Sequence, residues 1–233
     1  MHPLHTRIKK ELKRVGGAPA LSHEHFRYHG STRKVYDLSV PERRKIVVSI
    51  SKGITSPKEV KELAFSLGRG ETYDERVMVG MLLETTKFRE ILAPALLKQL
   101  LAGREGWAEI DHLCQSLLKG DEFLKSFSAW KNHIEGFKKS KDIALRRGAL
   151  VLLVRPSREV DDERLKKLCF ETIDALKHEK DILITKAISW LLREMVVNYK
   201  KDVSTYLSKN ADTLPKIAVR ETKKKLLTGK KNG

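Results

Sequence analysis

The sequence predicts an all-α fold, a right-handed solenoid or superhelix in which helix pairs stack along one axis and present a basic concave face. Apolar residues recur at three and four positions along nearly the whole 233-residue chain, and no segment alternates cleanly with period two. A weak internal repeat and an excess of basic residues at both ends support the same class. We expect about eleven helices, mostly of roughly 10–18 residues, joined by short connections.

Serines and glycines predict where several of these helices begin and end. Ser39 precedes Pro41, and Ser56 precedes Pro57; serine is a good N-cap and proline is tolerated in the first helical turn. Three glycines follow apolar-periodic runs, where a left-handed residue commonly ends a helix. They are Gly53, Gly68 and Gly103.

The internal repeat has a charged residue early in each copy and a leucine six positions later. The charged residues are Arg76, Asp111, Arg147 and Lys186, and the leucines are Leu82, Leu117, Leu153 and Leu192. Steps of 35, 36 and 39 residues correspond to one helix pair, and the lack of TPR signature residues favours a HEAT-like unit. We predict one HEAT-like domain over residues 1–228 and a flexible basic tail over 229–233. Equivalent positions align in a solenoid, so Asp111 lies in a row of cations.

The composition excludes a disordered chain and indicates an anionic partner. A hydrophobic share of 40% is enough for a folded core, and 47 basic against 30 acidic residues leave a net charge of +17. Residues 1–60 carry +8, residues 61–140 are neutral and residues 141–233 carry +9. Two basic ends around a neutral middle favour a folded body that meets a polyanion. A diffusely basic surface is the alternative, because charge alone is weak evidence of nucleic-acid binding.

The cysteines and the apolar runs bear on the compartment. Cys114 and Cys169 both lie in apolar helical patterns, which is typical of buried thiols in a reducing compartment rather than of disulfides or zinc. The first residues lack a signal-peptide core, and the longest apolar run, Ala149–Val154, is far too short to span a membrane. We therefore expect a cytoplasmic protein without a membrane partner.

Two tryptophans share helix faces with charged residues of the repeat. Trp107 stands four positions before Asp111, while Trp190 follows Lys186 by four and precedes Arg193 by three. Two alternatives stay open at this point. Both rings could be ordinary core, and the charged groups could be solvated surface residues or plain salt-bridge partners.

Four stretches of the chain, in order and in register with the repeat, resemble the AlkD-type DNA alkylation-repair glycosylases. They are Arg27-Tyr28 followed by Pro41-Glu42-Arg43-Arg44, then Trp107-x-x-x-Asp111, then Leu145-x-Arg147-x-Ala149, and finally Ile184–Met195. The similarity runs from about residue 2 to residue 227, essentially the whole chain. The family's fold is a HEAT-like superhelix, in agreement with the solenoid predicted from periodicity.

The resemblance implies a DNA glycosylase of base excision repair that hydrolyses the N-glycosidic bond of N3- and N7-alkylated purines without base flipping. It implies a catalytic cluster of Trp107, Asp111 and Trp190. The implied DNA contacts are Arg147, Arg193 and Tyr28, to which we add Lys186, Arg43 and Arg44. The expected partner is double-stranded DNA containing alkylated purines, bound by a monomer that associates with the nucleoid. One departure is Gly106, a position that is often aromatic in relatives, and it bears on substrate preference.

The chemistry of the residues is compatible with that activity. A cationic alkylated purine is already a good leaving group, so a carboxylate such as Asp111 is needed only to stabilise the sugar as it becomes oxocarbenium-like or to orient water. No metal or organic cofactor is required. His25 and His29 have the spacing of helical metal ligands, but no cysteine or carboxylate pattern completes a site. A non-catalytic HEAT-like protein that binds bent or branched DNA, and a scaffold for an acidic protein, are the competing functions.

Overall fold

The computed structural model describes residues 1–88, 91 and 93–230. Within this part the chain forms thirteen helices and no strand, with one isolated β-bridge between Ala20 and Val35. The helices are α1 Pro3–Gly16, α2 His23–His29, α3 Val40–Ser51, α4 Pro57–Gly68, α5 Tyr73–Thr85, α6 Pro94–Leu101, α7 Gly106–Leu117, α8 Gly120–Lys125, α9 Phe127–Lys138, α10 Ile143–Glu159, α11 Glu163–Leu176, α12 Ile182–Lys209 and α13 Lys216–Thr228.

The all-α prediction is confirmed, although the expected number of helices was too low. Helices α2, α6 and α8 have only seven, eight and six residues, which is too short for a clear 3.6-residue periodicity. In the predicted tail, residues 231–233 lie outside the described residues.

The serine caps are confirmed, and helices α3 and α4 end near Gly53 and Gly68, but of the three glycines only Gly103 has the predicted left-handed conformation. Ser39 and Ser56 accept hydrogen bonds from the backbone of the first turns of α3 and α4. Gly103 has a φ of 67°, as a left-handed position requires. Gly68 instead remains the last residue of α4, and neither it nor Gly53 has a positive φ. At both helix ends the C-cap residue also has a negative φ, so the chain leaves the helix without a left-handed residue.

The chain divides into two compact units, Met1–Leu117 and Leu118–Gly233. The boundary coincides with the last residue of α7, so α1–α7 belong to unit 1 and α8–α13 to unit 2. That residues 1–228 form a single domain remains a prediction, which the division into two units does not test.

Unit 1 is built around α5. Eleven of its thirteen residues are buried, and the helix contacts α3, α4 and α7. Its first turn is also buried although it carries two carboxylates. Asp74 accepts hydrogen bonds from the Tyr36 backbone and from Arg43, while Glu75 closes a capping box with Thr72 and bonds His5. The positive end of the helix dipole adds to this stabilisation.

Unit 2 is built around α10 and α12. Helix α10 contacts α8, α9, α11 and α12, and α12 also contacts α13. The repeat leucines, Leu82 and Leu117 in unit 1 and Leu153 and Leu192 in unit 2, are all fully buried, as the apolar stripe of the repeat predicts. Both cysteines, Cys114 and Cys169, are buried. Among the described residues, no helix combines the length and apolarity that a membrane crossing needs.

Candidate functional site

Trp107 and Asp111 lie one turn apart on α7 in unit 1. The indole of Trp107 is half-buried and packs against Tyr73, Val77 and Ala108. Asp111 is 7% exposed. The spacing of four places both side chains on the same helix face, as predicted. Part of the indole therefore remains at the surface beside a nearly buried carboxylate.

Helix α2 covers Trp107. The indole Nε1 donates a hydrogen bond of 2.6 Å to the backbone carbonyl of Tyr28. The His29 ring stacks on the indole at 5.4 Å between centroids, with an interplanar angle of 25°. The Tyr28 ring meets the indole edge-on at 5.5 Å and is 67% exposed. Tyr28 and Trp107, separated by 79 residues, are thus brought into contact.

Gly106 allows this contact. It has a φ of 65°, a conformation that side chains other than glycine rarely adopt. A Cβ atom at this position would lie 2.0 Å from the His29 carbonyl oxygen and 2.8 Å from the Gly30 carbonyl carbon. The backbone that follows α2 therefore occupies the space that a side chain at position 106 would need.

The segment after α2 is tied to the start of α7 by polar contacts, of which the bond between Ser31 and Glu109 is buried. Thr32 donates to Glu105 through its backbone amide and its hydroxyl, at 3.0 and 2.7 Å. Ser31 donates to the buried Glu109 at 3.2 Å, and Arg33 lies 2.9 Å from Glu105. Burial raises the pKa of Glu109, against the opposing effect of nearby arginines. This network fixes the position of α2 relative to Trp107.

Two histidines complete an aromatic cluster under α2. The rings of His25 and His29 are 4.2 Å apart and both contact Tyr73. Burial, together with the charge of His25, lowers the pKa of His29 to about 4, and burial and Arg43 lower the pKa of His25. Both rings are therefore neutral near pH 7. They also line a cavity of about 590 Å³ together with Tyr28 and Arg43.

The two arginines of α3 differ in environment. Arg43 is buried, with its Nε 2.5 Å from Asp74 Oδ1 and its guanidinium over the Tyr73 ring. Arg44 is partly exposed and pairs with Glu84 at 2.6 Å. Both were predicted to contact DNA. Burial and a tight ion pair favour a structural role for Arg43, while Arg44 remains at the surface.

In unit 2, α12 carries three of the predicted residues. Lys186 is exposed, Trp190 is half-buried and Arg193 is 7% exposed. Arg193 Nε donates to the Ser189 carbonyl at 3.2 Å and lies 3.4 Å from Glu221 of α13. Glu221 also accepts a 2.6 Å hydrogen bond from the Ser189 hydroxyl. The single carboxylate of α13 thus orients the Arg193 guanidinium.

Arg147 lies on α10 and is 4% exposed. Its guanidinium donates to the backbone carbonyl of Leu183 in the first turn of α12. The contact joins the two helices that carry the unit 2 candidates. The third tryptophan, Trp130, is fully buried in unit 2, whereas Trp107 and Trp190 are both half-buried.

His25 and His29 have the spacing of helical metal ligands, but their sequence context gave them no part in the predicted site. Their spacing of four brings the two imidazole rings together, and the rings of Tyr28, Tyr73 and Trp107 lie around them. Among the described residues, no three His, Cys, Asp or Glu side chains are grouped so that they could hold a metal ion. The contribution of Gly30 was also missed, since nothing in the local pattern indicates that it meets Gly106.

Comparison with known proteins identifies the family of the chain. The family described as "DNA alkylation repair enzyme" matches residues 8–226. The chain belongs to this family. The search among curated proteins found no match. The AlkD-type resemblance drawn from the four sequence stretches is thereby confirmed.

Solved structures share the fold of this DNA alkylation repair family member. A predicted DNA alkylation repair enzyme from Enterococcus faecalis has a TM-score of 0.68 and 16% identity, covering 88% of this chain and 94% of that one. AlkD2 from Streptococcus mutans has a TM-score of 0.60 and 18% identity, covering 95% and 98%. At such identities the likeness concerns the fold, which is an all-helical repeat.

Proposed function

We propose that this DNA alkylation repair protein is a DNA glycosylase that hydrolyses the N-glycosidic bond of N3- and N7-alkylated purines in duplex DNA, without base flipping. The observation that carries the proposal is the pairing of a carboxylate and an indole one turn apart on α7. Family membership supports a DNA substrate, and the position of Asp111 beside Trp107 supports bond cleavage rather than binding alone.

The proposed chemistry needs little acid catalysis. An N3- or N7-alkylated purine carries a positive charge, so the base can leave without being protonated first. As the glycosidic bond breaks, the deoxyribose acquires oxocarbenium character, which the Asp111 carboxylate stabilises electrostatically. The same carboxylate can orient the water that attacks the sugar. Nothing in this reaction calls for a metal or organic cofactor.

The two half-buried tryptophans supply electron-rich faces for the cationic nucleotide. A cation over an indole gains about 0.5–2 kcal/mol, with the higher value where water is excluded. Trp107 of unit 1 and Trp190 of unit 2 both keep part of their rings at the surface. In this proposal they favour the charged, alkylated base over its neutral counterpart, and this preference is the source of lesion selectivity.

Cationic side chains hold the duplex through its phosphates and do not read sequence. Lys186 and Arg44 are the candidates already at the surface. Arg147 and Arg193 are nearly covered in the free protein, so we expect them to exchange their present carbonyl contacts for phosphate on binding. We propose that the protein does this as a monomer.

The test is release of methylated bases from a methylated duplex by Asp111→Asn. We expect wild type to release base and the variant to release none, while both bind the duplex with nearly equal affinity, because the substitution removes charge and preserves shape. Asp161→Asn, an exposed carboxylate of unit 2, is the matched control and should release base like wild type.

Two outcomes would contradict the proposal. An unchanged rate in Asp111→Asn would remove this carboxylate from the mechanism. Duplex binding by both proteins with no base release by either would leave the protein as a non-catalytic binder of bent or branched DNA, which is the competing function.

A further inference from the structure

We propose that His29 and Gly106 are positioning residues for Trp107: together they lock α2 onto α7 so that the indole is held in one plane with one face covered. The inference rests on the proposed function for its consequence in catalysis. Its structural content, a fixed indole, can be measured without any activity.

Three contacts restrain the indole from different directions. The hydrogen bond from Nε1 to the Tyr28 carbonyl, 2.6 Å long, sets the direction of the ring edge. The His29 ring stacks on one face at 5.4 Å, and Tyr73, Val77 and Ala108 form the apolar floor against which Trp107 packs. A surface tryptophan without such partners would sample several rotamers, whereas this one has a single bonded orientation.

Gly106 and Gly30 make the hydrogen bond geometrically possible. The two backbones approach so closely that a Cβ on Gly30 would lie 3.1 Å from Gly106 Cα, and a Cβ on Gly106 would lie 2.0 Å from the His29 carbonyl oxygen. The carbonyls at the end of α2 reach Trp107 only because position 106 has no side chain. An aromatic residue there would have to displace the end of α2.

Helix α2 has only seven residues, so it depends on tertiary contacts for its position. The segment that follows it supplies several. Ser31 bonds Glu109 of α7, Thr32 bonds Glu105 directly before α7, and the Lys34 carbonyl accepts from the Tyr73 amide at 3.0 Å. The segment is thus tied to both α5 and α7. His29 is the last residue of α2 and lies two positions before Ser31, so the anchored segment also restrains its position.

The covered face has a consequence for selectivity. Because His29 occupies one face of the indole, a cationic base can stack only on the other. A neutral imidazole leaves the electron density of the indole available, whereas an imidazolium would itself be the cation on the ring. The absence of a side chain at position 106 therefore allows the close backbone contact that brings His29 onto Trp107.

The direct test observes the Trp107 indole N–H by NMR in the full-length protein. The chain has three tryptophans, and the loss of one signal in Trp107→Phe assigns the resonance. We expect this N–H to exchange slowly with solvent in wild type. In His29→Ala and Gly106→Ala its resonance should shift and its exchange should accelerate by about tenfold or more, while the signals of Trp130 and Trp190 stay in place.

Control variants separate positioning from general damage. His23→Ala removes an exposed ring from the same helix and should leave the Trp107 signal unchanged. His29→Phe keeps a flat ring on the indole and should restore the wild-type signal. An unchanged Trp107 resonance and exchange rate in His29→Ala would overturn the proposal. If Gly106→Ala does not fold, His29→Ala is sufficient for the test, because His29→Ala retains the backbone contact at Gly106.

Base release then tests the catalytic consequence. We expect His29→Ala to release methylated base about tenfold more slowly at unchanged duplex affinity, with His29→Phe within about twofold of wild type. A shifted Trp107 signal with an unchanged release rate would show that the fixed indole does not serve catalysis. If wild type releases no base, the proposed function fails, while the NMR measurement still decides whether His29 and Gly106 position the ring.

Discussion

The charge state of His29 shows how a single buried side chain responds to its neighbours. Its ring lies among His25, Tyr73, Tyr28 and Trp107, and these contacts remove water from the imidazole. Burial and the neighbouring His25 lower its pKa to about 4, and the nearby Arg43 acts in the same direction. Folding therefore favours the neutral form of this side chain, and protonation opposes folding.

The lowered pKa predicts a pH dependence of stability. Between about pH 6.5 and pH 4 the unfolded chain binds a proton that folded His29 does not, so the contribution to stability is complete above pH 6.5 and is lost as the pH falls towards 4. We expect the free energy of unfolding of wild type to fall more between pH 6.5 and 5 than that of His29→Phe. Urea unfolding at the two pH values measures this. Equal losses in both proteins would show that folding does not lower the pKa of His29.

The exposed Lys186 leads to a second prediction at the scale of the residue. A lysine that contacts one phosphate contributes one released counterion, so Lys186→Ala should weaken binding to any duplex and reduce the slope of log affinity against log salt by about one unit. Fluorescence anisotropy over a salt series gives the slope. Lys200→Ala, an exposed lysine farther along α12, is the control and should keep the wild-type slope. A wild-type slope in Lys186→Ala would show that Lys186 is a solvated surface residue that does not contact phosphate.

At the scale of the element, the position of Asp111 depends on how closely α5 and α7 approach. A Cβ on Gly80 of α5 would lie 2.5 Å from the His112 carbonyl oxygen, the residue next to Asp111. Backbone cannot move aside as the end of a flexible side chain can. Gly80 thus sets the separation of α5 and α7. Because Asp111 lies on α7, this separation also sets the position of its carboxylate relative to α5.

Replacing Gly80 should separate these helices at a cost in stability. We expect Gly80→Ala to unfold about 1–3 kcal/mol more easily, as overpacking in a core does. Gly136→Ala in α9 is the control, since nothing lies within 4 Å of a Cβ there. It should be up to about 1 kcal/mol more stable than wild type, because alanine loses less conformational entropy in a helix. Denaturant unfolding compares the two, and equal stability changes of the same sign would contradict the close approach.

In the whole molecule, the positive charge is divided unequally between unit 1 and unit 2. Unit 1 has 20 basic and 14 acidic side chains, a net +6, whereas unit 2 has 27 and 16, a net +11. Many cations are already paired with carboxylates, as Arg146 is with Glu179 and Lys166 with Glu163 and Asp202. Such pairs already cancel within the net charge, so the excess comes from the remaining cations, and we expect only a few of these to contact phosphate.

This leads to a prediction for duplex binding. If Lys186, Arg44, Arg147 and Arg193 each contact a phosphate, the salt slope is roughly −3.6, and affinity for an undamaged duplex falls roughly a hundredfold between 50 and 200 mM salt. A binding titration at the two concentrations measures it. A loss of less than about fivefold would mean that phosphate contacts do not drive the interaction.

Much of the fold could be predicted because it follows from local patterns. The 3.6-residue periodicity, the serine caps at Ser39 and Ser56, and the buried repeat leucines were all read from neighbours in sequence, and the structure agrees. The short helices and the glycine stops were not predictable in the same way. A six- or seven-residue helix has too few turns for a pattern, and Gly68 and Gly53 carry no local signal of the φ they adopt.

The sequence by itself determined the all-α class, the family, the basic charge and the pairing of Trp107 with Asp111, because each depends on residue types at short and regular spacing. Only the tertiary structure decided that α2 covers Trp107, that Gly106 must remain without a side chain, and that Arg43 is held by Asp74. These features join residues 31 to 79 positions apart. They depend on the approach of backbones and on the loss of water from charged groups, and no local pattern encodes either.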